Sequence, residues 1–125
     1  MGNFRITLGV SAQGGSHFEY VDALVDTGAT YTQLPESLLR SLSIVPLGNL
    51  SFRLANGQSV MRDVSEAPMR IGDMVRTSPV IFGDDDSDAL LGAVTLEIFG
   101  LGVDPVNQRL IPVEGLLVGI VESED

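Results

Sequence analysis

Cysteine and lysine are absent from this 125-residue sequence, histidine occurs once, and no apolar run approaches the length of a membrane span. Without cysteine there is no disulfide framework and no thiolate metal site. A lone histidine, His17, supports neither an imidazole metal cluster nor a Ser-His-Asp set for nucleophilic catalysis. A glycine-rich phosphate loop is missing as well. The longest apolar segments fall far short of the roughly 20 residues that cross a bilayer. The N-terminus, Met-Gly-Asn-Phe-Arg, shows no basic leader followed by an apolar stretch. The expectation from these absences is a soluble, cytoplasmic protein with no metal, no cofactor and no membrane partner.

Charge of one sign is in short supply too. Seven arginines face seventeen acidic residues, for a net charge of −10, and such a chain repels a polyanion, so nucleic acid is not an expected partner. A hydrophobic content of 44% and a mean hydropathy of +0.26 argue against disorder. The length suits one domain over residues 1–125 with a core of its own.

The pattern is mostly short strands between turn signals, with two brief helices. Phe4, Ile6, Leu8 and Val10 alternate with polar or small residues, the period of a half-buried strand. Gly14-Gly15 supplies a turn, and His17 to Val25 returns as a second strand. Pro35 reads as a first helical residue with Glu36 in the first turn, opening an amphipathic helix from Pro35 to Leu42. Ser51–Ala55 and Gln58–Met61 flank Asn56-Gly57, a strong signal for a two-residue hairpin turn. Ala67–Ile71 and Met74–Phe82 flank Gly72-Asp73, a second turn. Ala93–Phe99 reads as a helix closed by Gly100. Val103–Pro105 and Arg109–Val113 predict a last hairpin, and Gly115–Val121 an apolar strand before an acidic tail. Asp84, Asp86 and Asp88 hint at a calcium loop, but Ala89 stands where that loop needs glycine and Thr95 where it needs glutamate, so a solvated loop is expected.

One segment stands apart. The run Ala23-Leu24-Val25 ends at Asp26-Thr27-Gly28-Ala29, so an apolar strand terminates on an acid. A carboxylate at such a place costs several kcal/mol unless it is paired or hydrogen-bonded, which suggests that its ionisation is used. About thirty residues on lies the Asn56-Gly57 hairpin, and Leu90-Leu91-Gly92 precedes the second helix. In this order and spacing, these elements resemble the retroviral-like (retropepsin-type) aspartic proteases, in the single-lobe form. That family carries Asp-Thr-Gly-Ala or Asp-Thr-Gly-Ser after an apolar strand, a substrate-covering flap, and an apolar-apolar-glycine element in its ψ-loop.

The resemblance implies an all-β, closed-barrel fold with one or two short helices, and an endopeptidase acting on a polypeptide substrate. Its chemistry needs two carboxylates sharing a proton, one as base toward water and one as acid toward the carbonyl oxygen. The chain has one Asp-Thr-Gly, so a C2 homodimer with one Asp26 from each subunit is implied. By the same resemblance Asp26, Thr27 and Gly28 are the catalytic motif. Thr27 reaches across the axis, and Gly28 leaves room for the substrate backbone. Ala29, Ala55, Asn56, Gly57, Val80 and Leu91 are the expected substrate-contacting residues, with Phe82 a further wall residue. The sequence departs from the retroviral pattern at Thr30 and Ala93, where an acid and an arginine usually pair, and in a flap with the single glycine Gly57. Ala29 replaces the serine of pepsin-like enzymes and removes a hydroxyl from the carboxylate's surroundings. Two other readings stay open: a non-catalytic peptide-binding or dimerisation module on the same fold, and a structural β domain using its acidic loop as a contact surface.

Overall fold

The computed structural model describes residues 3–115. Apart from Gly115 itself, the strand expected from Gly115 to Val121 and the acidic tail lie outside the described residues. Strand β1 (Arg5–Ser11) pairs antiparallel with β2 (Phe18–Val25) in a register that sets Leu8 opposite Val21 and Ile6 opposite Ala23. The alternation read in β1 has a physical outcome: Leu8 and Val10 are fully buried, while Arg5 and Thr7 face water.

A short strand, β3 (Thr32–Pro35), follows the Asp-Thr-Gly turn and leads into helix α1 (Glu36–Ser41). Pro35 is the residue that caps α1 rather than its first helical residue. Its φ of −57° and ψ of 135° are extended, and it offers no side-chain cap. Glu36 and Arg40 pair one turn apart along α1 at 2.7 Å, and Leu39 buries the inner face.

Strand β4 (Gly48–Arg53) and the long strand β5 (Ser59–Ile71) form the first hairpin. The expected two-residue Asn56-Gly57 turn is instead a three-residue loop, Ala55-Asn56-Gly57. Leu54 N–H donates to the Gln58 carbonyl at 2.7 Å, and Gly57 N–H donates to the Leu54 carbonyl at 2.9 Å. Gly57 takes a φ of 89°, while Asn56 keeps negative φ and accepts the Gln58 N–H on its side chain at 2.9 Å. That is a turn followed by a glycine bulge, the next commonest way to close a hairpin. Strand β5 runs unbroken through the polar residues Arg62, Asp63 and Glu66, which the sequence pattern reads as a gap. Those residues remain in the strand because it changes partner at Val64, from β4 to β6 (Met74–Gly83). The β5–β6 turn uses Gly72-Asp73 as expected, with Ile71 opposite Met74 and Gly72 at a φ of 59°.

After the acidic loop, a two-residue strand, β7 (Leu90–Leu91), inserts between β2 and β3, parallel to the first and antiparallel to the second. Helix α2 (Ala93–Ile98) follows and is closed by Gly100 at a φ of 67°. The chain then makes the hairpin of β8 (Leu101–Asp104) and β9 (Arg109–Pro112). The main sheet runs β1-β2-β7-β3-β6-β5-β4, and an added pairing of β1 with β5, through Gly9–Arg70 and Val10–Met69, closes the first six into a ring. Leu8, Val10, Leu34, Met69, Val80 and Leu91 fill the inside, and β4 hangs outside the ring on the first half of β5.

Candidate active site

Asp26 stands where β2 leaves the sheet, and the neighbouring backbone is almost completely bonded. Leu24 N–H donates to the Ala89 carbonyl at 2.8 Å, Val25 N–H to Phe4 at 2.9 Å, and Asp26 N–H to Leu91 at 3.0 Å. The tiny strand β7 thus serves as a clamp on the last turn of the acid-bearing strand. Beyond it, Ala29 N–H donates back to the Asp26 carbonyl at 3.1 Å, closing a tight turn. The Gly28 N–H donates to the Asp26 carboxylate at 3.0 Å, a charge-assisted bond that steadies the side chain. A Cβ on Gly28 would sit 3.2 Å from that same carboxylate oxygen. Glycine therefore keeps the acid uncrowded, in addition to the open space that the resemblance assigns to it.

The carbonyls of Ala29 and Thr30 point at the start of α2 and accept the N–H groups of Ala93 and Val94 at 2.8 and 2.9 Å. These are two of the four donors that a helix start leaves unpaired. The loop and the helix thereby satisfy each other through main-chain bonds, without a side-chain cap. Gly92 makes this docking possible. A Cβ there would lie 2.5 Å from the Tyr31 carbonyl carbon and 2.6 Å from its oxygen, contacts that no side chain tolerates.

Beneath the loop runs a chain of hydroxyls that the sequence does not announce. Gly92 N–H donates to Thr32 Oγ1 at 3.0 Å, Thr32 bonds Thr95 through its hydroxyl, Thr95 bonds Ser78 at 2.8 Å, and Ser78 donates to the Pro79 carbonyl at 3.1 Å. All three side chains are buried. A single direction of donation, from the Gly92 amide through three hydroxyls to Pro79, satisfies every member. These residues lie on β3, α2 and β6, far apart in sequence. The faint signal available was a threonine on the apolar face of α2, beside Leu96.

The motif opens into a cleft of about 330 Å³. Gly28, Ala29, Thr30 and Tyr31 form one side and the β4–β5 hairpin the other, through Phe52, Leu54, Val60 and Arg62. Tyr31 and Phe52 meet edge-to-face, with centroids 6.2 Å apart. The structure brings Gly28 and Ala29 of the expected site to the cleft. It sets Ala55, Asn56 and Gly57 at the exposed tip of the hairpin and leaves Asp26 and Thr27 beside the cleft, on a smaller recess shared with Phe4 and Val103. Val80 and Leu91 belong to the core, each with 0% exposure, and Phe82 is buried too. Their chain neighbours Ile81 and Leu90 line the cleft instead. In a strand the side chains alternate between faces, so a one-residue shift exchanges core for wall.

In the acidic loop, Asp84 pairs with Arg62 at 3.2 Å, Asp88 with Arg5 at 3.1 Å, and Asp85 accepts the Ser37 N–H at 2.9 Å. Among the described residues no group of three or more metal-binding side chains converges, and no helix is long and apolar enough to cross a membrane.

A family model described as aspartyl protease matches residues 10–95, a span that takes in the motif turn, the β4–β5 hairpin and the Leu90-Leu91-Gly92 element. No curated protein matches the sequence. Among solved structures, the protease of simian foamy virus (mac), determined in solution, is similar with a TM-score of 0.54 and 18% identity, over 75% of this chain and 92% of that one. The foamy viral protease-reverse transcriptase, solved in complex with an RNA/DNA hybrid, is similar with a TM-score of 0.55 and 14% identity. That match covers 90% of this chain and 13% of the much longer viral one. At such identities the likeness is one of fold, here the retropepsin-type fold.

Proposed function

Because the chain belongs to the aspartyl protease family, we propose that it is an aspartic endopeptidase working as a homodimer. The observation that carries this reading is the setting of Asp26: a carboxylate on a closely hydrogen-bonded turn, beside a cleft walled on its other side by the β4–β5 hairpin. In the dimer Asp26 faces Asp26 of the partner subunit, and the two hold one proton between them, since like charges so close cannot both ionise. The ionised acid takes a proton from water as its oxygen attacks the peptide carbonyl carbon. The protonated acid gives its proton to the carbonyl oxygen, forming a neutral tetrahedral diol. Proton transfer to the amide nitrogen then lets the C–N bond break, leaving a carboxylic acid and an amine. Thr27, exposed in the single chain, bonds across the axis and sets the spacing of the acids. The β4–β5 hairpin closes over an extended peptide bound by strand addition.

Incubation of the purified chain with a varied peptide pool, from about pH 3 to about pH 8, should give cleavage that a pepstatin-type inhibitor suppresses. Asp26→Asn should lower the rate by about 10³-fold while circular dichroism and sedimentation stay as in the parent, because the amide matches the shape of the acid and cannot act as a base. Undiminished cleavage in that variant would overturn the mechanism. Peptide binding without turnover at any pH would favour a non-catalytic peptide-binding module.

A further inference from the structure

The cleft is an exception to the charge of the molecule. In a chain with seventeen acidic residues and seven arginines, no Asp or Glu lines the cleft, and two arginines do, Arg53 and Arg62. Both are on the β4–β5 hairpin that forms one side of it. Arg62 lies opposite Leu50 and two residues beyond Val60, on the same strand face as Val60 and Phe52. Its side chain is 30% exposed, and the one carboxylate it meets among the described residues is Asp84, at 3.2 Å through a single nitrogen. A guanidinium has five N–H donors in a planar fork, so most of this group's capacity is unused. Arg53 has no carboxylate partner among the described residues and donates to the Gly57 carbonyl at 3.1 Å. Phe52, Val60, Ile81 and Leu90 supply apolar wall around them.

We propose that Arg62 makes the cleft selective for an extended peptide with an acidic side chain among apolar ones, and that this arginine determines substrate specificity. The inference rests on the reading of the cleft as a peptide site. The long-range field of a −10 chain opposes such a peptide, but that field is screened over about 8 Å at physiological salt. A direct guanidinium–carboxylate contact is shorter than that and survives. Within the cleft the cation stands among apolar walls with no lining carboxylate to oppose it, and this combination suits an acidic side chain flanked by apolar ones.

The test uses binding, so that it does not depend on turnover. Dye-labelled extended peptides, identical except for Glu, Gln or Lys walked along the sequence, are titrated against the full-length Asp26→Asn chain and followed by fluorescence anisotropy. At one position Glu should bind about tenfold more tightly than Gln, with Lys weakest. Arg62→Gln should erase the preference. Arg62→Glu combined with Asp84→Arg, which keeps an ion pair at the surface while reversing the sign in the cleft, should turn it toward Lys. Equal affinity for Glu and Gln at every position, no binding by any peptide, or a preference untouched by the Arg62 variants would each overturn the proposal. Cleavage by the parent chain with no acidic preference would overturn it while leaving the hydrolytic reading standing. An acidic preference in binding without cleavage would support it and remove the hydrolytic reading.

Discussion

Single atoms decide whether the Asp26 turn holds its shape. Gly92 admits no Cβ, since the Tyr31 carbonyl occupies that space, and Gly92→Ala has to push β3 or α2 aside. The expected loss is about 3 kcal/mol, read as a lower denaturant midpoint with an unchanged slope. Thr95 holds two hydroxyls at once, those of Thr32 and Ser78. Thr95→Val keeps the volume and removes the bond, leaving Thr32 and Ser78 each short of a buried partner. A cost of about 2 kcal/mol is expected, and urea unfolding measures it. A variant that also replaces Thr32 and Ser78 by apolar residues should lose less than the separate costs suggest, because the three hydroxyls go together and only the Gly92 N–H and the Pro79 carbonyl, at the two ends of the chain, lose a partner.

Among the elements, the smallest has the largest part in the site. Strand β7 has two residues, yet it receives the Asp26 N–H, splits β2 from β3, and delivers Gly92 to the start of α2. The β8–β9 hairpin shows a different device. Asp104 accepts from the backbone N–H of Val106 and Asn107 and from the Asn107 side chain, and it pairs with Arg109. The Asn107 bonds chiefly, with those from Val106 and Arg109, hold the Asp104 carboxyl below the ordinary aspartate range. The folded value is lower than the unfolded one, so the ionised acid stabilises the hairpin above the usual aspartate pKa. That contribution fades as pH falls through the folded value. Amide exchange at Val106 and Asn107 should therefore accelerate, relative to the rest of the sheet, below about pH 4, and Asp104→Ala should show the faster exchange already at neutral pH.

At the level of the whole molecule, the ring of strands sets the frame, and the proposed mechanism needs a second copy because the sequence has a single Asp-Thr-Gly. Retroviral enzymes buttress this region with an ion pair, whereas Thr30 and Ala93 hold no charge here, and the proposed dimer carries twice the −10 of one chain. Its association should be weakened by self-repulsion and strengthened by salt. Sedimentation at several concentrations should show tighter dimers at about 0.2 M than at about 0.02 M salt, as the Debye length shortens. Specific activity should fall on dilution in parallel. A chain that stays monomeric at high concentration in both salts, while still cleaving, would refute the shared-dyad model.

Local patterns in the sequence were enough for β1, β2, the β5–β6 turn and both helices. Alternation, turn glycines and apolar helical faces are short-range properties that survive without tertiary context. The acid at the end of an apolar strand and the place of the later glycine were legible for the same reason. Strand β3 was not, because four residues between a motif and a helix become a strand only when β6 lies alongside. Nor was the facing of Val80-Ile81 and Leu90-Leu91 legible. An unbroken apolar run has no alternation to read, and only the register of the closed ring turns Val80 and Leu91 inward and Ile81 and Leu90 to the cleft. The hydroxyl chain and the setting of Arg62 in the cleft likewise exist only after distant strands meet. The sequence by itself determined that the chain carries the Asp-Thr-Gly motif of its family and roughly where its strands turn. The tertiary structure alone decided which side chains share a surface, because facing and long-range pairing are set by the packing of the ring as a whole.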